Sequence, residues 1–126
     1  MTLVLGTKNQ GKLEFALAQF ELNESSVHDG KEMSLKNFSD IRAINHLEAL
    51  IRRICTEKQD PLLHIEKIVE FNKDVILICE DLGCVITPYD ELEKQVVNKT
   101  VAICSRMARQ ADSVWRVYQG KGDKIK

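Results

Sequence analysis

Val75-Ile76-Leu77-Ile78-Cys79 is apolar at every position. A strand alternates its side chains between two faces, so a strand with no polar face needs cover on both sides. Such a strand belongs in the middle of a parallel sheet with helices above and below. Asp74 marks the turn into it, and Glu80-Asp81 follows at once. A shorter apolar run, Leu3-Val4-Leu5, predicts another buried strand over residues 2–6.

Between these runs the apolar residues recur at steps of three and four, the helical period. Leu13, Ala16, Leu17 and Phe20 predict a helix over 11–22. Ile41, Ile44, Leu47, Ile51 and Ile54 predict a second, capped by Ser39 or Asp40. Pro61 suits the first turn of a third, whose apolar side is Leu62, Ile65, Ile68 and Val69. Pro88 breaks the chain, and a long helix then follows from about Asp90 to Gln110, along Leu92, Val96, Lys99, Ile103 and Met107. The polar stretch 23–38 has room for a short strand at Met33–Leu35. Ser113–Tyr118 reads as a strand, and Gly120-Lys121-Gly122 as a turn into the terminal segment Asp123–Lys126. Strands alternating with helices give an α/β fold in one domain, 1–126, with a mostly parallel β-sheet flanked by helices.

Composition narrows the function classes. Hydrophobic residues make up 44% of the 126 and charged residues 29%, a balance that builds a core and excludes a disordered chain. A net charge of −1 gives no basic field, so a nucleic-acid partner is not expected. No apolar stretch approaches the roughly 18 residues of a membrane span. The first residues read as a strand and not as a secretory signal, so a cytoplasmic location is expected. Cys55, Cys79, Cys84 and Cys104 form no C-x-x-C pair. Free thiols in a reducing compartment are expected, with a metal site as the alternative.

The chemistry-bearing segment is Gly6-Thr7-Lys8-Asn9-Gln10-Gly11-Lys12. It lies between the first strand and the first helix, with the G-x-x-x-x-G-K spacing of a phosphate-binding loop. Glycines let backbone N–H groups curl around phosphate oxygens, and the new helix aims its positive dipole end at them. Lys12 would reach the terminal phosphates. The next position usually carries a hydroxyl that holds magnesium, and here it is Leu13. The alternative is an ordinary strand-to-helix turn. In open α/β sheets ligands sit beyond the carboxyl ends of the strands. The loop after residues 75–79 meets that description too. Glu80 is therefore a candidate catalytic carboxylate and Asp81 a candidate metal ligand, with strand-end solvation or helix capping as the plainer reading. Asn45-His46 and Arg52-Arg53 are weaker candidates, expected on one helix.

These pieces resemble the bifunctional adenosylcobinamide kinase/adenosylcobinamide-phosphate guanylyltransferase family of cobalamin biosynthesis. Glu80-Asp81-Leu82-Gly83-Cys84-Val85-Ile86-Thr87-Pro88 is similar to its E-x-G-x-G-I-V-P segment. Ala111-Asp112-Ser113-Val114-Trp115-Arg116-Val117-Tyr118-Gln119-Gly120 is similar to its A-D-E-V-x-x-V-x-x-G strand. Gly6–Lys12 stands where the family has its phosphate loop, and Ala43–Arg53 lines up loosely with a strand and its helix. The resemblance implies a P-loop-type fold and a nucleoside triphosphate, ATP or GTP with Mg2+, bound by Gly6, Thr7, Lys8, Asn9, Gln10, Gly11, Lys12 and Leu13. It implies adenosylcobinamide as acceptor, Lys12 and Glu80 as catalytic groups, and a homo-oligomer.

The departures are specific. The region after the first helix is much shorter than in the family. The H-R-x-x-R segment, whose histidine carries the guanylyl group, is missing. The D-C-L-T segment has only Asn45-His46-Leu47-Glu48 as a counterpart, and an N-Q pair of the last long helix stands as Cys104-Ser105. A catalytically inactive nucleotide- or corrinoid-binding protein is the alternative expectation. Thr7–Phe15 is also similar to the T-x-N-x-G-K-x-x-E start of inosine triphosphate pyrophosphatases, and Glu80-Asp81-Leu82-Gly83 faintly to their D-D-S-G segment. Those enzymes are longer, and the second half of this chain does not follow them.

Overall fold

In the computed structural model, Leu77 and Cys79 point to one side of a sheet and Ile76 and Ile78 to the other, and both sides are buried. That is why the run tolerates no polar residue. The strand is β4 (Ile76–Glu80), and it lies beside β1 (Thr2–Gly6) in parallel register, with Leu3 opposite Leu77 and Gly6 opposite Glu80. The structure describes residues 1–84 and 90–126. Val85, Ile86, Thr87 and the expected break at Pro88 lie outside the described residues.

Six strands form one sheet in the order β2-β3-β4-β1-β5-β6, all parallel except β6. The remaining strands are β2 (Val27–Asp29), β3 (Ala43–Asn45), β5 (Ser113–Tyr118) and β6 (Lys121–Lys124). Helix α1 (Lys12–Gln19) covers one face, where Leu13, Ala16 and Leu17 meet Val4, Ala43, Ile78 and Val117. On the other face α2 (Leu47–Thr56), α3 (Pro61–Phe71) and α4 (Glu91–Gln110) bury Leu50, Ile54, Ile65, Ile68, Ile103 and Met107 against Leu3, Ile44 and Leu77. Each such fully buried aliphatic side chain contributes about 1.5–3 kcal/mol of transfer free energy. The expected α/β class with a mostly parallel sheet and helices on both faces is what the chain adopts. Among the described residues no helix is long and apolar enough to cross a membrane.

Three local expectations are corrected. The helix expected from Ser39 or Asp40 begins only at Leu47, and Ala43–Asn45 is strand β3. Sheet pairing decides this: Ala43 and Ile44 sit opposite Ile76 and Leu77 of β4. His46 then adopts left-handed backbone (φ 55°), which separates strand from helix. Asn45 therefore lies in β3, and His46 stands at the N-cap of α2. The strand expected at Met33–Leu35 lies instead at Val27–Asp29, while Met33 serves the core from a turn region. The terminal segment is an antiparallel partner of β5, joined by a two-residue turn between Tyr118 and Lys121. Gln119 (φ 50°) and Gly120 (φ 77°) both have positive φ, as the tightest hairpin turns require.

Candidate functional site

Strand β1 lies between β4 and β5, and the chain passes from one side of it to the other through α4. The carboxyl ends of β1 and β4 thus lie side by side where the sheet changes direction, the usual place for a ligand in an open α/β sheet. Two loops leave from there. Residues 7–11 lead from β1 into α1, and Asp81 leads from β4 into a short turn over Leu82–Cys84. They are joined directly, because the Asp81 N–H donates to the Gly6 carbonyl at 2.9 Å.

The first loop is held from two sides. A Cβ on Gly6 would lie 2.7 Å from the Val117 carbonyl oxygen, so the close approach of β1 to β5 requires glycine. Gly11 has φ 83°, and its Cα faces Gly120 of the hairpin turn so closely that a Cβ would sit 3.2 Å from the Gly120 Cα. Gln10 fastens the two together. Its carbonyl accepts the Gly120 N–H and its side-chain oxygen accepts the Gln119 N–H, both at 2.8 Å. Across the loop, Lys12 Nζ donates to the Thr7 carbonyl at 2.8 Å. The ammonium group is thereby held over the loop, at the start of α1. Leu13 turns toward the apolar cluster beneath α1.

Beside this loop opens a cleft of about 430 Å3. Lys8, Asn9 and Lys12 line it from the loop, His46, Glu48 and Arg52 from α2 and its cap, Glu80 from β4, and Lys31 from the segment after β2. A second hollow of about 450 Å3 shares Asn9, Lys12 and His46 and continues along Gln10–Glu14 to Asn45. The structure therefore brings Lys8, Asn9, Lys12 and Glu80 together. Gly6, Gln10 and Gly11 shape the loop behind them. Asp81 does not line this cleft. Its Oδ1 accepts the Gly83 N–H at 3.0 Å, the capping role foreseen as the plainer reading.

Glu48 is the site residue that the sequence did not single out. Its carboxylate, almost buried at the start of α2, accepts the Glu80 N–H at 2.8 Å through Oε1 and the Ala49 N–H at 3.2 Å through Oε2. His46 Nδ1 stands 3.5 Å from the same Oε2. Glu48 thus ties the end of β4 to the start of α2. The signal was its place three residues after Asn45, legible only once the strand–helix boundary is put at His46. The two arginines are occupied: Arg52 forms a two-pronged ion pair with Glu93 of α4, and Arg53 donates to the Gly30 carbonyl at 2.9 Å.

Magnesium takes few protein ligands when phosphate oxygens and water complete its shell. Leu13 offers no oxygen, Asp81 Oδ1 accepts a backbone N–H, and both Glu48 oxygens accept backbone N–H groups. Glu80 is the cleft carboxylate that no hydrogen bond or ion pair engages among the described residues, so it is the oxygen donor the cleft would offer such an ion. Among the described residues no group of three histidine, cysteine or acidic side chains could hold a metal by itself. Cys55 and Cys79 are buried free thiols and Cys104 is a half-buried one. No family model matches this chain, and no curated protein matches it in sequence.

Proposed function

We propose that this chain binds a nucleoside triphosphate, ATP or GTP, at the β1–α1 loop, as a P-loop-type domain. We also propose that it is a shortened, divergent member of the adenosylcobinamide kinase family. One observation carries the nucleotide reading. Lys8 and Lys12 share a cleft with Glu80 at the carboxyl ends of the two central strands. The lysines supply positive charge for phosphate oxygens, and the start of α1 adds its dipole. In the kinase reading Lys12 leaves the Thr7 carbonyl for the transferred phosphoryl group and stabilises the charge that develops on it. Glu80 would hold magnesium, which neutralises phosphate charge when bound. The family assignment rests on the resemblance of Glu80–Gly83 and Ala111–Gly120, and adenosylcobinamide is the acceptor it implies.

Leu13 favours a second reading, a nucleotide- or corrinoid-binding protein without catalysis. Its side chain packs into the apolar cluster where a phosphate loop carries a metal-binding hydroxyl. Titration calorimetry with ATP and with GTP, on wild type and Lys12→Ala, tests the shared premise. The wild type should bind one of them at least tenfold more tightly than the variant, about 1.4 kcal/mol. Equal affinity in both proteins overturns the site. Phosphate transfer to adenosylcobinamide then separates enzyme from binder.

A further inference from the structure

Cys79 and Cys104 lie on different elements, 25 residues apart in sequence, with their sulfur atoms 3.5 Å apart. Cys79 is fully buried in β4, immediately before Glu80. Cys104 is half-buried on α4, where it lines a cavity of about 180 Å3 between that helix and the ends of β1 and β4. A disulfide needs sulfurs about 2.05 Å apart, so the pair must close by roughly 1.5 Å, within reach of a side-chain rotation. The cavity is large enough to admit a molecule the size of peroxide.

We propose that Cys79 and Cys104 form a reversible thiol-oxidation site that closes to a disulfide in hydrogen peroxide. Cys104 reacts first, because it lines the cavity and is half-buried, whereas Cys79 is fully buried and does not line it. Its thiolate attacks one peroxide oxygen and the O–O bond breaks. The departing hydroxide takes up a proton to become water, leaving a sulfenic acid on Cys104. The Cys79 sulfur then attacks the Cys104 sulfur. The S–O bond breaks, and the hydroxyl leaves with the Cys79 proton as a second water. Two thiols and one peroxide give one disulfide and two waters. Cys79 is suited to the second step and not the first. Its hydrogen bond with Cys104, and then its burial, hold its thiol well above the ordinary cysteine range, so it stays protonated until the sulfenic acid forms beside it. The bond would fasten α4 to the end of β4 one residue before Glu80. The inference does not depend on any nucleotide binding.

Exposure of the folded wild-type chain to a small excess of hydrogen peroxide, followed by intact-mass analysis, should show the loss of two hydrogens, reversed by dithiothreitol. Non-reducing trypsin digestion should then join peptide 74–94 to peptide 100–106. Cys84 shares the first peptide with Cys79, so fragmentation must place the bond at Cys79. The joined peptide should persist in Cys84→Ser and vanish in Cys79→Ala and Cys104→Ala, with Cys104 advancing to sulfinic acid several-fold further in Cys79→Ala than in wild type. A bond at Cys84, a bond between two molecules, or sulfinic acid on wild-type Cys104 without the joined peptide overturns the proposal. If Cys79→Ala does not fold, the wild-type fragmentation decides alone.

Discussion

Glu48 serves two elements with one carboxylate, accepting the last N–H of β4 and an N–H of the first turn of α2. Truncating it leaves the Glu80 N–H without its acceptor in a half-buried place, a loss of about 1–3 kcal/mol. Glu48→Ala should lower stability in urea by that amount. Glu48→Gln keeps an acceptor oxygen and should lose less. Identical unfolding midpoints for wild type and Glu48→Ala would remove the residue from this role. Leu13 poses the opposite question, of what an added oxygen would do. In the proposed nucleotide site Leu13→Thr supplies a hydroxyl beside Lys12, so nucleotide affinity should become more dependent on magnesium than in wild type. Titrations with and without the ion check this. A steep requirement already present in wild type would assign the ligand to Glu80, and its loss in Glu80→Gln would establish that.

Helices α3 and α4 begin on aspartates that act as caps. Asp60 accepts the Leu62 N–H at 3.0 Å, ahead of Pro61, and Asp90 accepts the Leu92 N–H at 2.7 Å and the Glu93 N–H at 3.4 Å. Asp60→Ala and Asp90→Ala should each destabilise the chain by about 1 kcal/mol, and the double variant by the sum, since the two caps share no partner. Denaturant titration of the three variants measures it. These helices were legible because a proline at or before each start agrees with a long stripe at helical spacing, while their aspartate caps came only from the structure. Strand β4 was legible because its composition leaves no polar face. Strand β3 was not. Three residues are too few to display a period of two, and Ile41, Ile44 and Leu47 happen to fall at helical steps. Only the pairing of Ala43 and Ile44 with β4 decides their state, and pairing between distant segments is not written in local sequence. The same cause hid Glu48, whose role depends on a strand end that is 32 residues away in the chain. The glycine loop, by contrast, was legible as a strand-to-helix connection, although its clamp to the hairpin through Gln10 was not.

At the scale of the whole molecule, two apolar layers meet on one sheet, and the loops at its carboxyl edge inherit their positions from that packing. Ile78 is fully buried on the α1 side of β4, two residues before Glu80. Ile78→Ala should therefore lose about 2–5 kcal/mol, read from thermal or chemical unfolding. The layout also constrains what the resemblance implies about group transfer. A histidine nucleophile needs its ring fixed and the phosphate charge beside it neutralised by cations. His28 lies in the edge strand β2, and His64 on α3 packs edge-on against Phe38, with Nδ1 3.0 Å from the Asp60 carbonyl. His46 lines the cleft, but its near neighbour is the Glu48 carboxylate, which repels phosphate oxygens. Of the arginines near it in sequence, Arg52 and Arg53 are held by Glu93 and by the Gly30 carbonyl, and Arg42 lies before β3, at the end of that strand away from His46. The chain should therefore form no covalent guanylyl-enzyme. Intact-mass analysis after incubation with labelled GTP and magnesium should show unmodified protein. A gain of one guanylyl group that disappears in His46→Ala would mean that Glu48 moves away and Arg52 leaves Glu93 when nucleotide binds, and that the transfer chemistry survives in a rearranged site.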